Sequence, residues 1–244
     1  MPVDRSAPAE ERIKPLLARL KRAYPDATIA LNFSNPLECL VATILSAQST
    51  DVRVNIVTED LFRKYRGPED YLKVPEEELQ LDIQSTGFFR QKTKALRGMS
   101  LTLLEEFDGE VPTHIADLIK LKGVARKTAN VVQSACFPEV AKKDPDAGIA
   151  VDTHVGRVSV RLGLTKHGSK EAEKIERDLL EIVPKKDRPR LSFLFIDHGR
   201  QICDAKNRRC DRCPIEPLCP SSQVAGLPDL YRIKPPPRKP RRPS

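Results

Sequence analysis

The segment that most narrows the possible folds is Leu-Lys-Gly-Val-Ala-Arg-Lys-Thr-Ala-Asn at positions 121–130. A helical pattern enters it from Thr113 and another leaves it towards Cys136, so the chain must reverse direction within a few residues. Gly123 supplies the backbone freedom that a tight reversal needs. The outgoing helix then begins near positions 124–125, and its first-turn amides have no partner inside the helix. Unpaired amides at the positive end of a helix make an anion site, and Lys122, Arg126 and Lys127 surround it with charge. A duplex phosphate suits such a site, because phosphate contacts position a protein without reading sequence. Lys127, Asn130 and Ser134 form a polar stripe opposite Val124, Thr128, Val131, Val132 and Ala135, which directs Lys127 outward.

The remaining periodicity is also helical. Ile13, Leu16, Leu17 and Leu20 predict a helix over 10–24, with Pro15 in or near its first turn. Asn35-Pro36 is a start signal for a buried helix carrying Leu37, Leu40, Val41, Ile44 and Leu45, with Cys39 as a small core residue. It ends in the polar run 46–51, which includes Gln48. Further helices are predicted over 52–65, stopped by Gly67-Pro68, from Val74-Pro75 to 83, and over 91–107. Between the last two, Phe88 and Phe89 sit in a turn, one able to pack inward and the other to project. Thr113 is the expected N-cap of the helix entering the reversal. Residues 139–148 read as a polar surface loop, and Asp152 follows an apolar run at an N-cap position. Ser169 is the expected cap of a helix with Ala172, Ile175, Leu179 and Ile182 on its core face, and a last helix covers 187–201. No stretch reads as a strand, so the fold class is all-α.

The net charge of +8 favours a polyanionic partner. It is unevenly placed: Arg232, Lys234, Arg238, Lys239, Arg241 and Arg242 face Asp229 alone within 221–244, a basic, Pro-rich segment expected to be a disordered tail. Residues 1–8 read as a second loose tail. No apolar run reaches transmembrane length and no signal-peptide pattern opens the chain, so the protein is expected in the cytoplasm, with the nucleoid if the cell is bacterial. In that reducing compartment six cysteines are not expected to form disulfides. Four of them, Cys203, Cys210, Cys213 and Cys219, follow C-x6-C-x2-C-x5-C. Spacing alone admits structural zinc or an iron–sulfur cluster, with zinc the commoner solution. Lys206, Arg208, Arg209 and Arg212 lie inside this loop and form a rigid basic patch if a metal holds it.

Three of these motifs together resemble the endonuclease III family of helix-hairpin-helix DNA glycosylases. The hairpin matches eight of the ten family positions in Leu-Pro-Gly-Val-Gly-Arg-Lys-Thr-Ala-Asn, with Lys122 and Ala125 as the departures. Residues 45–51 match Leu-Ser-Ala-Gln-x-Thr-Asp, and 151–154 match Val-Asp-Thr-His. The cysteine spacing matches the family's [4Fe-4S] loop in full.

The resemblance implies two helical lobes with a DNA-binding groove between them. Residues 29–146 form a six-helix barrel ending in the hairpin, and residues 9–28 and 147–220 form the iron–sulfur cluster domain. It implies a monomer that acts on double-stranded DNA, removing oxidised pyrimidines and nicking the strand 3′ to the abasic site by β-elimination. Lys127 is the implied nucleophile, faced by Asp152, and Gln48 fills the space left by an extruded nucleotide with Phe88 as a wedge beside it. Leu121, Gly123, Ala125 and Arg126 line the phosphate contact, and Lys206, Arg208 and Arg209 add to it. Two other readings are a monofunctional glycosylase for mismatched adenine and a noncatalytic DNA-binding hairpin protein. The first class lacks the hairpin lysine, and the second has no use for Asp152.

Overall fold

A computed structural model describes residues 3–233 of the chain. Among them the regular structure is helical, with one isolated bridge between Cys203 and Arg208. The α-helices are α1 (Ala9–Ala23), α2 (Pro36–Leu45), α3 (Asp51–Lys64), α4 (Pro68–Lys73), α5 (Glu76–Ile83), α6 (Phe89–Glu106), α7 (Ile115–Leu118), α8 (Arg126–Cys136), α9 (Pro138–Ala141), α10 (Thr153–Arg161), α11 (Ala172–Ile182) and α12 (Arg188–Gln201). They divide between two units. One runs from residue 28 to 150 and takes in 188–190, and the other combines the chain up to residue 27 with 151–187 and the residues from 191 onward.

In the 28–150 unit α2 is the central element. Asn35 caps it by accepting from Glu38 N–H at 3.0 Å, Pro36 opens it, and Cys39 to Leu45 are all buried. Leu96, Met99 and Leu103 of α6, and Ala129 and Val132 of α8, complete the core around it. Gly67-Pro68, expected only as a stop, also starts α4. Pro68 takes the first helical position and the Asp70 carboxylate accepts from the amides of Arg66 and Gly67.

Three expectations around the reversal need correction. The entering helix is the single turn α7, and Thr113 does not cap it. Its first amide, Ile115 N–H, donates instead to the carboxylate of Asp144 at 2.9 Å. The Asp144 carboxylate also accepts from the side-chain amide of Gln133 on α8, which donates a second time to the Thr113 carbonyl. Residues 139–148 are therefore more than a surface loop: the segment carries α9 and delivers a carboxylate, only 7% exposed, that clamps both arms of the hairpin. Asn130, assigned to the outward stripe, is buried, and its Oδ1 accepts from Gly148 N–H at 2.9 Å.

In the other unit α1 buries Ile13, Leu16, Leu17 and Leu20. It starts at Ala9, so Pro15 lies in its interior and not in the first turn. The apolar face holds the helix across the missing amide. Arg12 is 4% exposed and donates to the carbonyls of Leu162 at 2.7 Å and Leu218 at 3.0 Å. The cap of α11 is Glu171 rather than Ser169, and the Glu171 carboxylate accepts from Gly168 N–H.

The described parts of both expected tails are folded. Arg5 pairs with Glu216 at 3.1 Å, which ties the start of the chain to this unit. Residues 221–233 are folded on it: Ser221 and Ser222 are buried, and Asp229 pairs with Arg161 at 3.0 Å, the two side chains 7% and 1% exposed. The expected disorder of 221–244 fails for this part because composition hides one acid that meets a buried guanidinium. Residues 234–244 lie outside the described residues.

Candidate nucleic-acid interface and active site

The hairpin turn runs from α7 to α8. Gly123 has φ 78, and a Cβ placed there would stand 2.5 Å from the Cβ of Ala95 on α6. Both the backbone conformation and the close approach therefore require glycine. Leu121 and Val124 on either side are buried, which pins the turn to the core. The N-cap of α8 is Ala125, which offers no side-chain cap to the first-turn amides. Lys122, Ala125, Arg126 and Lys127 are exposed around that helix start. Lys127 occupies the second position of α8, at the positive end of its dipole.

Three other exposed residues of the same unit have an unusual backbone, one of them Asp108 after α6 with φ 51. Gln48 follows α2 with φ 55, and Phe88 precedes α6 with φ 49. Left-handed backbone is uncommon for residues with side chains and persists only where the surroundings enforce it. Phe88 is 56% exposed, while its neighbour Phe89 packs against the core. The choice that the sequence left open between the two rings is thus made by burial.

Asp152 belongs to the other unit. It is the N-cap of α10, and its Oδ1 accepts from Val155 N–H at 2.7 Å. The carboxylate is half-buried. His154 beside it contacts a guanidinium nitrogen of Arg157 through Nδ1 at 3.0 Å, and burial holds its pKa below the ordinary histidine value.

The cysteine loop surrounds a set of thiols that sense one another. Burial pushes Cys213 up to about 12, and the nearby thiols Cys219, Cys203 and Cys210 push in the same direction. Burial likewise pushes Cys219 up to about 11. A guanidinium nitrogen of Arg161 lies 3.4 Å from the Cys203 sulfur, and the Cys219 sulfur lies 3.8 Å from the Arg161 carbonyl. His198 is wedged between the Tyr24 hydroxyl at 3.0 Å and the Cys213 sulfur at 3.8 Å. Among the described residues no group of three or more His, Cys, Asp or Glu side chains is arranged to hold a metal ion.

Of the loop's cations, Lys206, Arg209 and Arg212 are exposed. Arg208 is not part of that surface: its side chain is 14% exposed and donates to the Ser221 carbonyl at 2.6 Å. Arg161, His198, Lys92 and Asp144 escaped the sequence reading. Buried polar residues leave no mark in a hydropathy pattern, since each sits where an apolar residue or a solvated charge is the ordinary expectation.

Comparison with known proteins agrees with this architecture. Residues 41–185 match the HhH-GPD superfamily of base excision DNA repair proteins. An endonuclease III from Synechocystis sp. is 45% identical over 219 residues, which cover 90% of this chain and 96% of the relative. The Bacillus subtilis endonuclease III is 45% identical over 213 residues, 87% of this chain and 94% of the relative. Among solved structures, a trapped endonuclease III–DNA covalent intermediate superposes with a TM-score of 0.79 at 40% identity, covering 89% of this chain and 98% of the other. The chain therefore belongs to the endonuclease III branch of the HhH-GPD superfamily of base excision DNA repair proteins, the DNA glycosylases that are also lyases at abasic sites.

Proposed function

We propose that this protein removes oxidised pyrimidines from duplex DNA with Lys127 as the nucleophile and then cleaves the strand 3′ to the abasic site. The observation that carries the reading is the place of Lys127: an exposed amine in the first turn of the uncapped helix α8, beside the hairpin turn. Backbone amides and Arg126 hold the DNA phosphate there. Gln48 and Phe88 enter the duplex as the damaged nucleotide leaves it. An extruded base costs a few kcal/mol of unstacking, least when it is damaged.

The deprotonated amine of Lys127 attacks C1′ of the sugar. A C–N bond forms as the glycosidic C–N bond breaks, and the base leaves with the bonding electrons. Ring opening turns the adduct into a Schiff base. The imine acidifies the C2′ hydrogen, whose loss expels the 3′ phosphate oxygen and breaks the strand. Hydrolysis of the imine frees the lysine. Asp152 supplies a carboxylate that stabilises positive charge on the sugar and handles the proton. The superposable relative trapped covalently on DNA supports a covalent route.

Cys203, Cys210, Cys213 and Cys219 are the proposed ligands of a [4Fe-4S] cluster. The donor set fits: four thiols, within electrostatic reach of one another, on a loop fastened by Arg161, Arg157 and Arg12. When bound, the cluster supplies a structural cross-link for this segment. Iron and acid-labile sulfide should be lost together in Cys213→Ser, and purified protein that contains zinc without iron would overturn the assignment. No helix among the described residues is long and apolar enough to cross a membrane. As a protein that acts on DNA, it is proposed to be cytoplasmic, and to work with the nucleoid if the cell is bacterial.

The decisive test is borohydride trapping on a duplex that carries one oxidised pyrimidine. Wild-type protein should give a covalent adduct. Lys127→Gln should give none, while its affinity for the duplex stays close to wild type. An adduct that persists in the variant would place the nucleophile elsewhere.

A further inference from the structure

Lys92, on the first turns of α6, is 4% exposed. A lysine so deep is rare, because its ammonium must find partners that replace water. Here the partners are two backbone carbonyls. The ammonium donates to Leu45 at 2.7 Å and to Thr86 at 2.8 Å. Leu45 is the last residue of α2, and Thr86 ends the 3-10 turn Gln84–Thr86. Carbonyls at helix ends carry partial negative charge, which favours a cation there.

Each of those carbonyls stands at the root of a projecting residue. Gln48 leaves the end of α2, and Phe88 follows Thr86 and Gly87. Both are exposed with left-handed backbone, φ 55 and φ 49, a conformation that exposed Asp108 also adopts. The backbone N–H of Lys92 also donates to the Phe88 carbonyl at 3.0 Å. One residue thus fastens both loops by hydrogen bonds that an apolar side chain of similar size cannot make.

We propose that Lys92 is a positioning residue that joins the Gln48 and Phe88 loops into one element, so that both side chains enter the duplex in a single step when a nucleotide is extruded. This rests on the reading of Gln48 and Phe88 as the inserting residues. If each loop moved separately, one could unstack the duplex before the other was ready to fill the gap. A shared ammonium removes that freedom and sets the spacing of the two side chains in advance.

The test uses a duplex with an oxidised pyrimidine and a neighbouring 2-aminopurine, whose fluorescence rises on unstacking. In the Lys127→Gln background the protein binds without turning over. Lys92→Met fills the space without donors, Lys92→Gln keeps part of the donor set, and Lys92→Arg keeps the charge. Leu96→Ala, a core change on the same helix, reports on lost stability alone, and Gln48→Ala/Phe88→Ala reports on insertion itself.

Lys92→Met should abolish the fluorescence rise and, with Lys127 restored, slow single-turnover base release on the order of ten- to a hundredfold, as loss of charged hydrogen bonds allows. Affinity for undamaged duplex should not change. Lys92→Gln should fall between Met and wild type, and Lys92→Arg should recover more of the signal than Met. Leu96→Ala should melt earlier yet keep the rise. The proposal is overturned if Lys92→Met keeps the full rise while the double alanine variant loses it. It is equally overturned if Leu96→Ala loses the rise at the same melting temperature. A full rise in the double alanine variant would instead remove the insertion reading itself, and Lys92's role with it. If Lys92→Met does not fold, Lys92→Gln carries the same comparison.

Discussion

At the scale of single residues, Asp152 has two jobs that one substitution separates. Its Oδ1 caps α10 through Val155 N–H, and asparagine caps a helix about as well as aspartate. Asp152→Asn should therefore leave the melting temperature near wild type. Base release should fall on the order of a hundredfold or more if the carboxylate takes part in proton handling. Single-turnover kinetics beside a thermal melt check both halves, and an equal loss in each would reduce Asp152 to its cap. The cap was legible in the sequence because an apolar run met a polar residue at a helix start. So was the outward Lys127. The buried contacts of Asn130 and Arg208 were not, because a polar residue in sequence looks the same whether water or a carbonyl satisfies it.

At the scale of elements, the hairpin is held by a segment that composition presented as a loop. Asp144 receives Ile115 N–H from α7 and the Gln133 amide from α8. Burial alone would raise its pKa, but the amides of Ile115 and Asp146, the Gln133 side chain and nearby His114 outweigh burial and hold it below the ordinary carboxylate value. A carboxyl depressed on folding contributes stability above its unfolded pKa, ~3.9, and loses it as pH falls through the folded value. Asp144→Asn should therefore cost about 1–3 kcal/mol at neutral pH, because one amide then faces another amide donor. The gap from wild type should narrow as pH drops below about 4. Denaturant melts across pH test this, and a gap that does not vary with pH would show that charge is not what Asp144 contributes. Most helices were legible from their 3.6-residue period. Short α4 and single-turn α9 were not, and α7, expected as a longer helix from Thr113, is one turn, since so short a helix is made by tertiary hydrogen bonds rather than by its own pattern.

At the scale of the whole molecule, the unit that carries the cysteines is assembled from distant parts of the chain. Its hub is Arg161, which donates to the carbonyls of Cys203, Asp204 and Ala205, pairs with Asp229 and lies under the ring of Tyr231. Removing one partner of a buried ion pair strands the other, at a cost of about 3–5 kcal/mol. Asp229→Ala should accordingly destabilise this unit by that amount and loosen its hold on iron. A denaturant melt combined with iron analysis measures both, and an unchanged melt would show the pairing to be incidental.

The guanidinium of Arg12 carries a further consequence, one that concerns protein synthesis. Its acceptors, the carbonyls of Leu162 and Leu218, follow it by 150 and 206 residues. At about 5–20 residues per second the ribosome needs roughly 10–40 s to deliver the second of them. Meanwhile the contiguous 28–150 stretch can mature first, leaving the greasy flank of the amino-terminal helix for chaperones to shield in the nascent chain.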